Sequence, residues 1–331
     1  MTALSNPPAP PALALIGAPL ELGAGQRGCA MGPAALRTAQ LAETLIELGC
    51  RVDDLGDVAV APPRKPAPAP LTGRARNFSQ IAQFSQALSE RVRESMATGA
   101  LPIIMGGDHA LSMGSINGVA AHCQNIGREL FVLWLDAHAD FNTPETSPSG
   151  NMHGMSVAML CGEAGFDAMM GDIARVRVAP GNVTLFGLRS VDRLERSQLA
   201  ARGLNVVDMR AIDEYGVVAL LKPILEQVLA RGGLLHVSLD LDFLEPSLAP
   251  GVGTLVAGGA TFREAHLIME MLHDSALVGS LDLVELNPFL DERGKSAKLL
   301  VDLASSLFGR RIIERAPSQV LGEFHGSIRG R

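Results

Sequence analysis

Phe131-Val132-Leu133-Trp134-Leu135-Asp136-Ala137-His138-Ala139-Asp140 is the stretch that decides how this chain is read. An apolar run is followed at once by Asp, His and Asp at alternate positions. The run suits a strand buried on both faces of a sheet. On an extended backbone alternate side chains point the same way, so the three polar groups can converge on one site. Two further segments repeat the arrangement. Leu101–Met105 runs into Gly106-Gly107-Asp108-His109, and Leu234–Leu239 runs into Asp240-Leu241-Asp242. Each polar set falls where a buried strand ends, and open α/β sheets place their sites at that end. Together the sets offer Asp136, Asp140, Asp240 and Asp242 with His109 and His138 to one cavity. That donor set suits a two-metal centre built for hydrolysis.

The same rhythm extends in both directions. Strands are expected at Ala12–Gly17, Arg51–Leu55, Leu101–Met105, Phe131–Leu135, Val183–Phe186, Leu204–Val207, Leu234–Leu239 and Val278–Val284. Helical patterns lie between and after them, among them Ala34–Leu48, Ile81–Met96, Val217–Ala230, Arg263–His273 and Ala297–Phe308. Pro223 blurs the start of the third. Eight strands alternating with helices predict an α/β fold, a mostly parallel sheet with helices on both faces. Ala61–Pro70 holds five prolines and reads as an exposed loop. Composition does not change across it, so residues 1–331 are expected to form a single catalytic domain.

Composition narrows the function. The chain has 331 residues, 47% of them apolar, enough for a large core. Its 28 basic and 35 acidic side chains leave a net charge of −7, which disfavours nucleic acid and anionic membranes as partners. Cys29, Cys50, Cys123 and Cys161 are scattered and form no C-x-x-C pair. This suits a reducing compartment and argues against a thiolate zinc site. The first residues carry no basic segment of the secretory kind. Residues 2–20 are uncharged but are interrupted by Pro7, Pro8, Pro10, Pro11 and Pro19, a density that a lipid-exposed helix would not tolerate. Residues 1–11 are expected to be a disordered lead-in, and the protein cytoplasmic.

Aspartate and imidazole donors suit a borderline or hard divalent ion. Four aspartates bring about −4, two divalent ions about +4, and a hydroxide between them leaves roughly −1. Such a centre favours a cationic substrate, a guanidinium or amidine, over a phosphate ester. The segment from Asn142 to Gly154 starts two residues after Asp140, where loops on a rigid scaffold carry recognition. Asn142, Ser149 and Asn151 offer donors and acceptors that match an amino-acid carboxylate or amine. His153 can shuttle a proton, its ordinary pKa being ~6.5. Glu285 follows the last strand, where a carboxylate could pair with a guanidinium. Asp192 and Glu195 follow the strand Val183–Phe186, but they suit the charged first turn of a helix equally well.

Gly106-Gly107-Asp108-His109, Asp136-Ala137-His138-Ala139-Asp140 and Ser238-Leu239-Asp240-Leu241-Asp242, in that order, resemble the ureohydrolase superfamily. The resemblance runs from Ile16-Gly17-Ala18-Pro19 to Glu285-Leu286-Asn287-Pro288 and the following helix. Within the superfamily the chain is most similar to the arginase family. Asn142–His153 carries that likeness, with Trp134 and Gly187-Leu188-Arg189-Ser190-Val191-Asp192. The resemblance implies a three-layer αβα sandwich around an eight-stranded parallel sheet, and two Mn2+ per chain. It implies that His109, Asp136, Asp140 and Asp240 hold one ion. His138, Asp136, Asp240 and Asp242 would hold the other, with Asp136 and Asp240 bridging. It further implies that Asn142, Ser149 and Asn151 read an α-carboxylate. Asp192 would take the α-amine with Glu195 nearby, and Glu285 and Thr254 would line the guanidinium end. The implied catalytic residues are Asp140, His153 and Glu285. The implied reaction is hydrolysis of L-arginine to L-ornithine and urea by a metal-bridging hydroxide, in a homo-oligomer, trimer or hexamer. Ala110 and Ala139 stand where some relatives carry a hydroxyl. Two alternatives remain open. One is a ureohydrolase acting on agmatine or a guanidino acid; the other is a ureohydrolase-like subunit that binds without turnover. Deacetylation on a similar fold is disfavoured by the two-metal ligand count.

Overall fold

The computed structural model describes residues 11–59, 74–171 and 175–313. Residues 1–10 of the expected lead-in and the proline-rich segment 61–70 lie outside the described residues. In chain order the elements are β1 (Ala12–Ala18), α1 (Gly32–Thr38), α2 (Leu41–Glu47), β2 (Arg51–Asp57), α3 (Phe78–Ala97), β3 (Leu101–Gly106), α4 (Ser112–Asn125), β4 (Leu130–Leu135) and α5 (Ser156–Cys161). There follow β5 (Val183–Leu188), α6 (Arg193–Arg202), β6 (Asn205–Asp208), α7 (Met209–Ala230), β7 (Leu234–Asp240), α8 (Phe262–Ser275), β8 (Val278–Val284) and α9 (Lys295–Leu307).

The strands form one eight-stranded sheet in the order β2-β1-β3-β8-β7-β4-β5-β6, and every neighbouring pair is parallel. The sheet is therefore wholly, not mostly, parallel. Its eight strands match the expected ones to within about two residues at each end. Parallel pairing needs long crossovers, and these become the covering helices. Side chains of α1, α2, α7, α8 and α9 pack into one apolar layer, and those of α3, α4 and α5 into a second on the opposite face. β4, β5 and β7 are buried along their whole length, whereas the edge strands β2 and β6 are largely exposed and polar. Polar edges discourage pairing with another chain.

Two helices differ from the sequence reading. The pattern at Ala34–Leu48 is broken by Gln40, whose φ is +66°, so α1 and α2 are separate. Leu36, Leu41 and Leu45 are all buried, and the five-residue step from Leu36 to Leu41 is one residue too long for a continuous helical stripe. The left-handed Gln40 absorbs that extra residue. α7 begins at Met209, before the expected Val217, because a short helical segment, residues 209–215, precedes the break at Gly216. Pro223 lies inside the second part, which keeps Val217, Leu221, Leu225 and Val228 on one buried face.

β3 and β4 are consecutive in the chain, but β8 and β7 lie between them in the sheet. A crevice opens outside the carboxyl ends of strands around such a switch point. Gly106 and Gly107 close the bottom of it. A Cβ on Gly106 would meet the Leu283 carbonyl of β8, and one on Gly107 the Leu20 carbonyl. Two backbones pass where a side chain would stand, and the chain turns directly from them into His109. Gly107→Ala is expected to cost about 3 kcal/mol of stability, as overpacking against immovable backbone does. A denaturant midpoint measured beside the wild type checks this; an unchanged midpoint would refute it.

Candidate metal centre

The polar sets end up together at the carboxyl ends of β3, β8, β7, β4 and β5. His109 opens a short 3-10 turn, His109–Leu111, whose preceding residue Asp108 accepts the Ala110 N–H at 3.1 Å. Asp240 is the last residue of β7, and its carboxylate accepts the Asp242 N–H at 2.7 Å, which curls Asp242 back toward the strand end. Asp136 similarly accepts the His138 N–H at 2.6 Å. The convergence of Asp136, His138 and Asp140 thus has a different cause from the alternation expected of an extended strand. β4 stops at Leu135, the next residues bend, and Asp140 has a φ of +49°. Glu285 also has a positive φ, +63°. Non-glycine residues in this region cost about 1 kcal/mol each and concentrate at functional sites.

His109 Nδ1 lies 3.0 Å from Asp136 Oδ2, 3.0 Å from Asp240 Oδ2 and 3.3 Å from Asp140 Oδ2. It is buried and makes no directed hydrogen bond to any of them. His138 Nδ1 lies 2.9 Å from Asp242 Oδ2 and 3.5 Å from Asp136 Oδ1. Two triads, His109-Asp136-Asp140 and Asp136-His138-Asp242, each bring their donor atoms within 4.8 Å of one another and share Asp136. An imidazole nitrogen with no directed hydrogen bond, facing three carboxylate oxygens, fits a divalent cation. The shared Asp136 and the adjacent Asp240 fit a pair of cations better than one.

The ring of His109 is fixed on its other sides. Its Nε2 is 2.8 Å from Ser238 Oγ, and its face stacks on Trp134 at 3.9 Å with 5° between the planes. Trp134 Nε1 donates to Asp136 Oδ2 at 2.9 Å. Asp242 accepts from the Ala137 N–H and from Thr254 Oγ1. Arg189 donates to the main-chain carbonyls of Asp242, Phe243, Leu244 and Val256, tying the segments that carry Asp242 and Thr254 to the end of β5. Sequence reasoning assigned no role to Ser238 or Arg189. Ser238 was within reach of it, because strand alternation puts residue 238 on the Asp240 face.

A cleft of about 150 Å³ stands over the cluster, lined by His138, Asp140, Asp240 and Asp242 at its base. Asn142, Ser149, Asn151, His153, Asp192, Glu195 and Thr254 line its walls. Asn142 Nδ2 donates to Asp192 Oδ2 at 3.0 Å, linking the loop after β4 to the start of α6. Asp192 and Glu195 do form a helix-capping box, the reading that their spacing left open, and they also face the cleft. Glu285 stands apart: it is 2% exposed and does not line the cleft. Its Oε1 accepts the His109 N–H at 2.8 Å and lies 3.0 Å from His153 Nδ1, while Cys29 Sγ donates to Oε2. These bonds hold His153 and the His109 main chain.

Burial and crowding set the proton balance of the metal-free cluster. Burial, reinforced by the charge of Asp136, pushes the Asp140 carboxyl well above the ordinary carboxylate range. Burial and Asp242 do the same to Asp240. For Asp136 burial pushes up, but His109 and His138 outweigh it and hold this carboxyl well below its usual value. Burial alone would lower His138, yet Asp136 and Asp242 raise it to about 12. Burial raises Glu195 to about 7, against the Phe141 and Asp192 N–H groups that it accepts. In this state protonated imidazoles balance the carboxylates, the task that metal ions would take over.

The sequence matches the family described as the Arginase family over residues 11–309. It is 52% identical over 301 residues to an arginase from Agrobacterium fabrum, covering 91% of this chain and 92% of that one. It is 38% identical to an arginase from Bacillus subtilis, covering 91% and 99%. The fold superposes on the crystal structure of arginase from Bacillus caldovelox with a TM-score of 0.82 at 38% identity, covering 92% of this chain and all of that one.

Because His138 keeps its proton up to about 12 in the metal-free cluster, a cation that takes its lone pair must expel that proton. Titration of the metal-free protein with Mn2+ at about pH 8 is expected to release at least one proton per chain. Affinity then rises with pH, by about tenfold per unit for each proton displaced. Calorimetry in buffers of different ionisation enthalpy counts the protons. No release from the wild type, or the same release from His138→Asn, would refute the assignment.

Proposed function

The chain belongs to the arginase family, and we propose that it hydrolyses L-arginine to L-ornithine and urea with two Mn2+ ions per chain. The observation that carries the proposal is the cleft, which joins the metal cluster at its base to Asn142, Ser149, Asn151 and Asp192 at its rim. A guanidinium at the base places an α-carboxylate and α-amine at the rim, where amide, hydroxyl and carboxylate groups match them.

His109, Asp136, Asp140 and Asp240 would hold one ion, and His138, Asp136, Asp240 and Asp242 the other. Bound there, the pair would lower the pKa of a water and supply a nucleophile at neutral pH. The protein's own groups do the rest. Thr254 holds Asp242 through its hydroxyl, and Asp140 faces the base of the cleft. Its carboxylate takes the proton lost by the attacking water at an Oδ atom and returns it to the departing nitrogen of the substrate as the C–N bond breaks. His153, 18% exposed at its side chain and held by Glu285, exchanges protons between the cleft and bulk water. Asn142, Ser149 and Asn151 read the α-carboxylate, and Asp192 with Glu195 the α-amine. The same reading makes this a cytoplasmic homo-oligomer, trimer or hexamer, in keeping with four unpaired cysteines.

Urea release by the Mn2+-loaded protein, with L-arginine and agmatine compared, tests the substrate. Arginine is expected to be strongly preferred. Asn142→Ala combined with Ser149→Ala is expected to raise KM for arginine and leave agmatine little changed. Preference for agmatine in the wild type would replace arginine by another guanidine, and no urea from either would leave a binding subunit. Asp140→Asn, with metal content checked, is expected to lower turnover by about 10²–10⁴-fold, as loss of a proton carrier does. Near-normal turnover with both metals bound would remove Asp140 from that role.

A further inference from the structure

One pleat below the metal cluster, the sheet carries a second buried polar group that the proposed reaction does not use. Parallel register sets Trp134 beside Ser238 beside Asp282, and in the next row Val132 beside His236 beside Ser280. Alternation puts His236, Ser238 and Asp240 on one face of β7, and Ser280 and Asp282 on the same face of β8. Asp282 Oδ2 accepts from Ser112 Oγ at 2.7 Å and from Ser115 Oγ at 2.5 Å. His236 Nδ1 is 2.8 Å from Ser280 Oγ, and its Nε2 is 3.5 Å from Asp282 Oδ2. Asp282, His236, Ser112 and Ser115 are all fully buried, and Asp282 Oδ1 and His236 Nε2 have no hydrogen-bond partner. Burying a carboxylate with one oxygen unsatisfied is costly, and an apolar residue would serve the core better. The partners of Asp282 point to what it does.

Ser112 is the first residue of α4, and Ser115 lies one turn further on. The 3-10 turn His109–Leu111 leads directly into that helix. Asp282 therefore fastens to β8 the helix start from which His109 projects. Ser238, its neighbour in register, fastens the ring of His109 through Nε2. Ser156 Oγ donates to the His109 carbonyl at 2.9 Å. With these ties in place, Nδ1 stays aimed at the three carboxylate oxygens. Asp242 is held by the Ala137 N–H and Thr254 Oγ1, and the His138 main-chain N–H is held by Asp136 Oδ1, none of them a residue of α4.

We propose that Asp282 is a positioning residue for the metal ligand His109, acting through Ser112 and Ser115 on the first turn of α4. The inference rests on the two-cation reading of the site. Its signature is lopsided: loss of the tie weakens the cation position that contains His109 and spares the one that contains His138 and Asp242.

The test titrates the full-length, metal-free protein with Mn2+, following affinity by calorimetry and the coupling between ions by electron paramagnetic resonance. The wild type is expected to bind two ions with an exchange-coupled signal. Asp282→Ala is expected to lose about tenfold in affinity for one ion, the low end of what loss of a hydrogen bond made directly to a ligand costs, because Asp282 reaches His109 only through the first turn of α4. The other ion stays within a few fold, and the coupled signal gives way to that of an isolated ion. Ser112→Ala combined with Ser115→Ala cuts the same tie from the other end and is expected to reproduce this pattern; adding Asp282→Ala to it adds little. Asp282→Asn keeps an oxygen for both hydroxyls and is expected to restore near wild-type affinity. Equal loss at both positions, no loss at either, or no rescue by asparagine would overturn the inference. If Asp282→Ala does not fold, the serine pair decides by the same criteria. A wild type that binds fewer than two ions would overturn the two-cation reading itself, which separates that failure from this one.

Discussion

Everything at the site answers to one constraint: Asp136, Asp140, Asp240 and Asp242 are gathered within the end of an apolar sheet, at most 7% exposed. Like charges at such separations repel, and burial deprives them of the water that would screen them. A fold can hold them only if cations take their place among the oxygens, or if protons do. In the metal-free cluster the imidazoles and raised carboxyls hold protons, with His138 keeping its own to about 12 and Asp140 and Asp240 pushed well up. The architecture that makes the cluster possible is the parallel sheet, whose carboxyl ends bring His109, Asp136, Asp240 and Glu285 from four different strands to one crevice. Main-chain N–H groups share the electrostatic load: Asp136 accepts from His138, Asp240 from Asp242, and Asp242 from Ala137. Each of these bonds also turns the chain, so the charge balance and the local fold are one arrangement.

The sheet and the candidate metal donors are legible because both rest on local patterns. Apolar runs mark strands buried on both faces, and a polar residue just past such a run can only lie at the strand's end. Asp136, His138 and Asp140 converge in the structure by a route other than the one their spacing predicts. Side-chain alternation on an extended chain suggests convergence, but the backbone bends after Leu135 and Asp140 turns inward on a positive φ. A pattern of spacing cannot distinguish those two routes. Gln40 is a similar case, where one extra residue between buried leucines is visible only after α1 and α2 are seen to separate.

Glu285 and the polar row beneath the cluster were illegible for a deeper reason. The position of Glu285 after β8 says which end of the sheet it occupies, not which way its carboxylate faces, and His109, His153 and Cys29 take its two oxygens. In Val278-Gly279-Ser280-Leu281-Asp282-Leu283-Val284 the alternation of apolar and polar residues is the ordinary mark of a strand with one wet face. Here that face is dry, covered by α4, and Asp282 and Ser280 are fully buried. Only the partner helix, with serines at its first and fourth positions, reveals what the polar face meets. Tertiary pairing of this kind leaves no trace in the period of either segment alone.

Burial also divides the site into two layers with different freedom to change. His109, Asp136, Asp240 and Asp242 are 1–3% exposed and tied to main chain or to one another. Altering any of them leaves a buried charge or imidazole without its partner, so this layer is locked to its chemistry. Ser149 and Asp192 at the rim are exposed, and Asn151 is partly so. Their bonds are to neighbouring loop atoms and to Arg76, which water can replace. On the proposed reading, the lower layer attacks a guanidinium whatever carries it, and the rim alone distinguishes an amino acid from a simple amine. Discrimination among guanidines can therefore be altered at the cleft mouth without disturbing the metal donors. The two layers meet at His153, whose ring lines the cleft while Glu285 holds it from below.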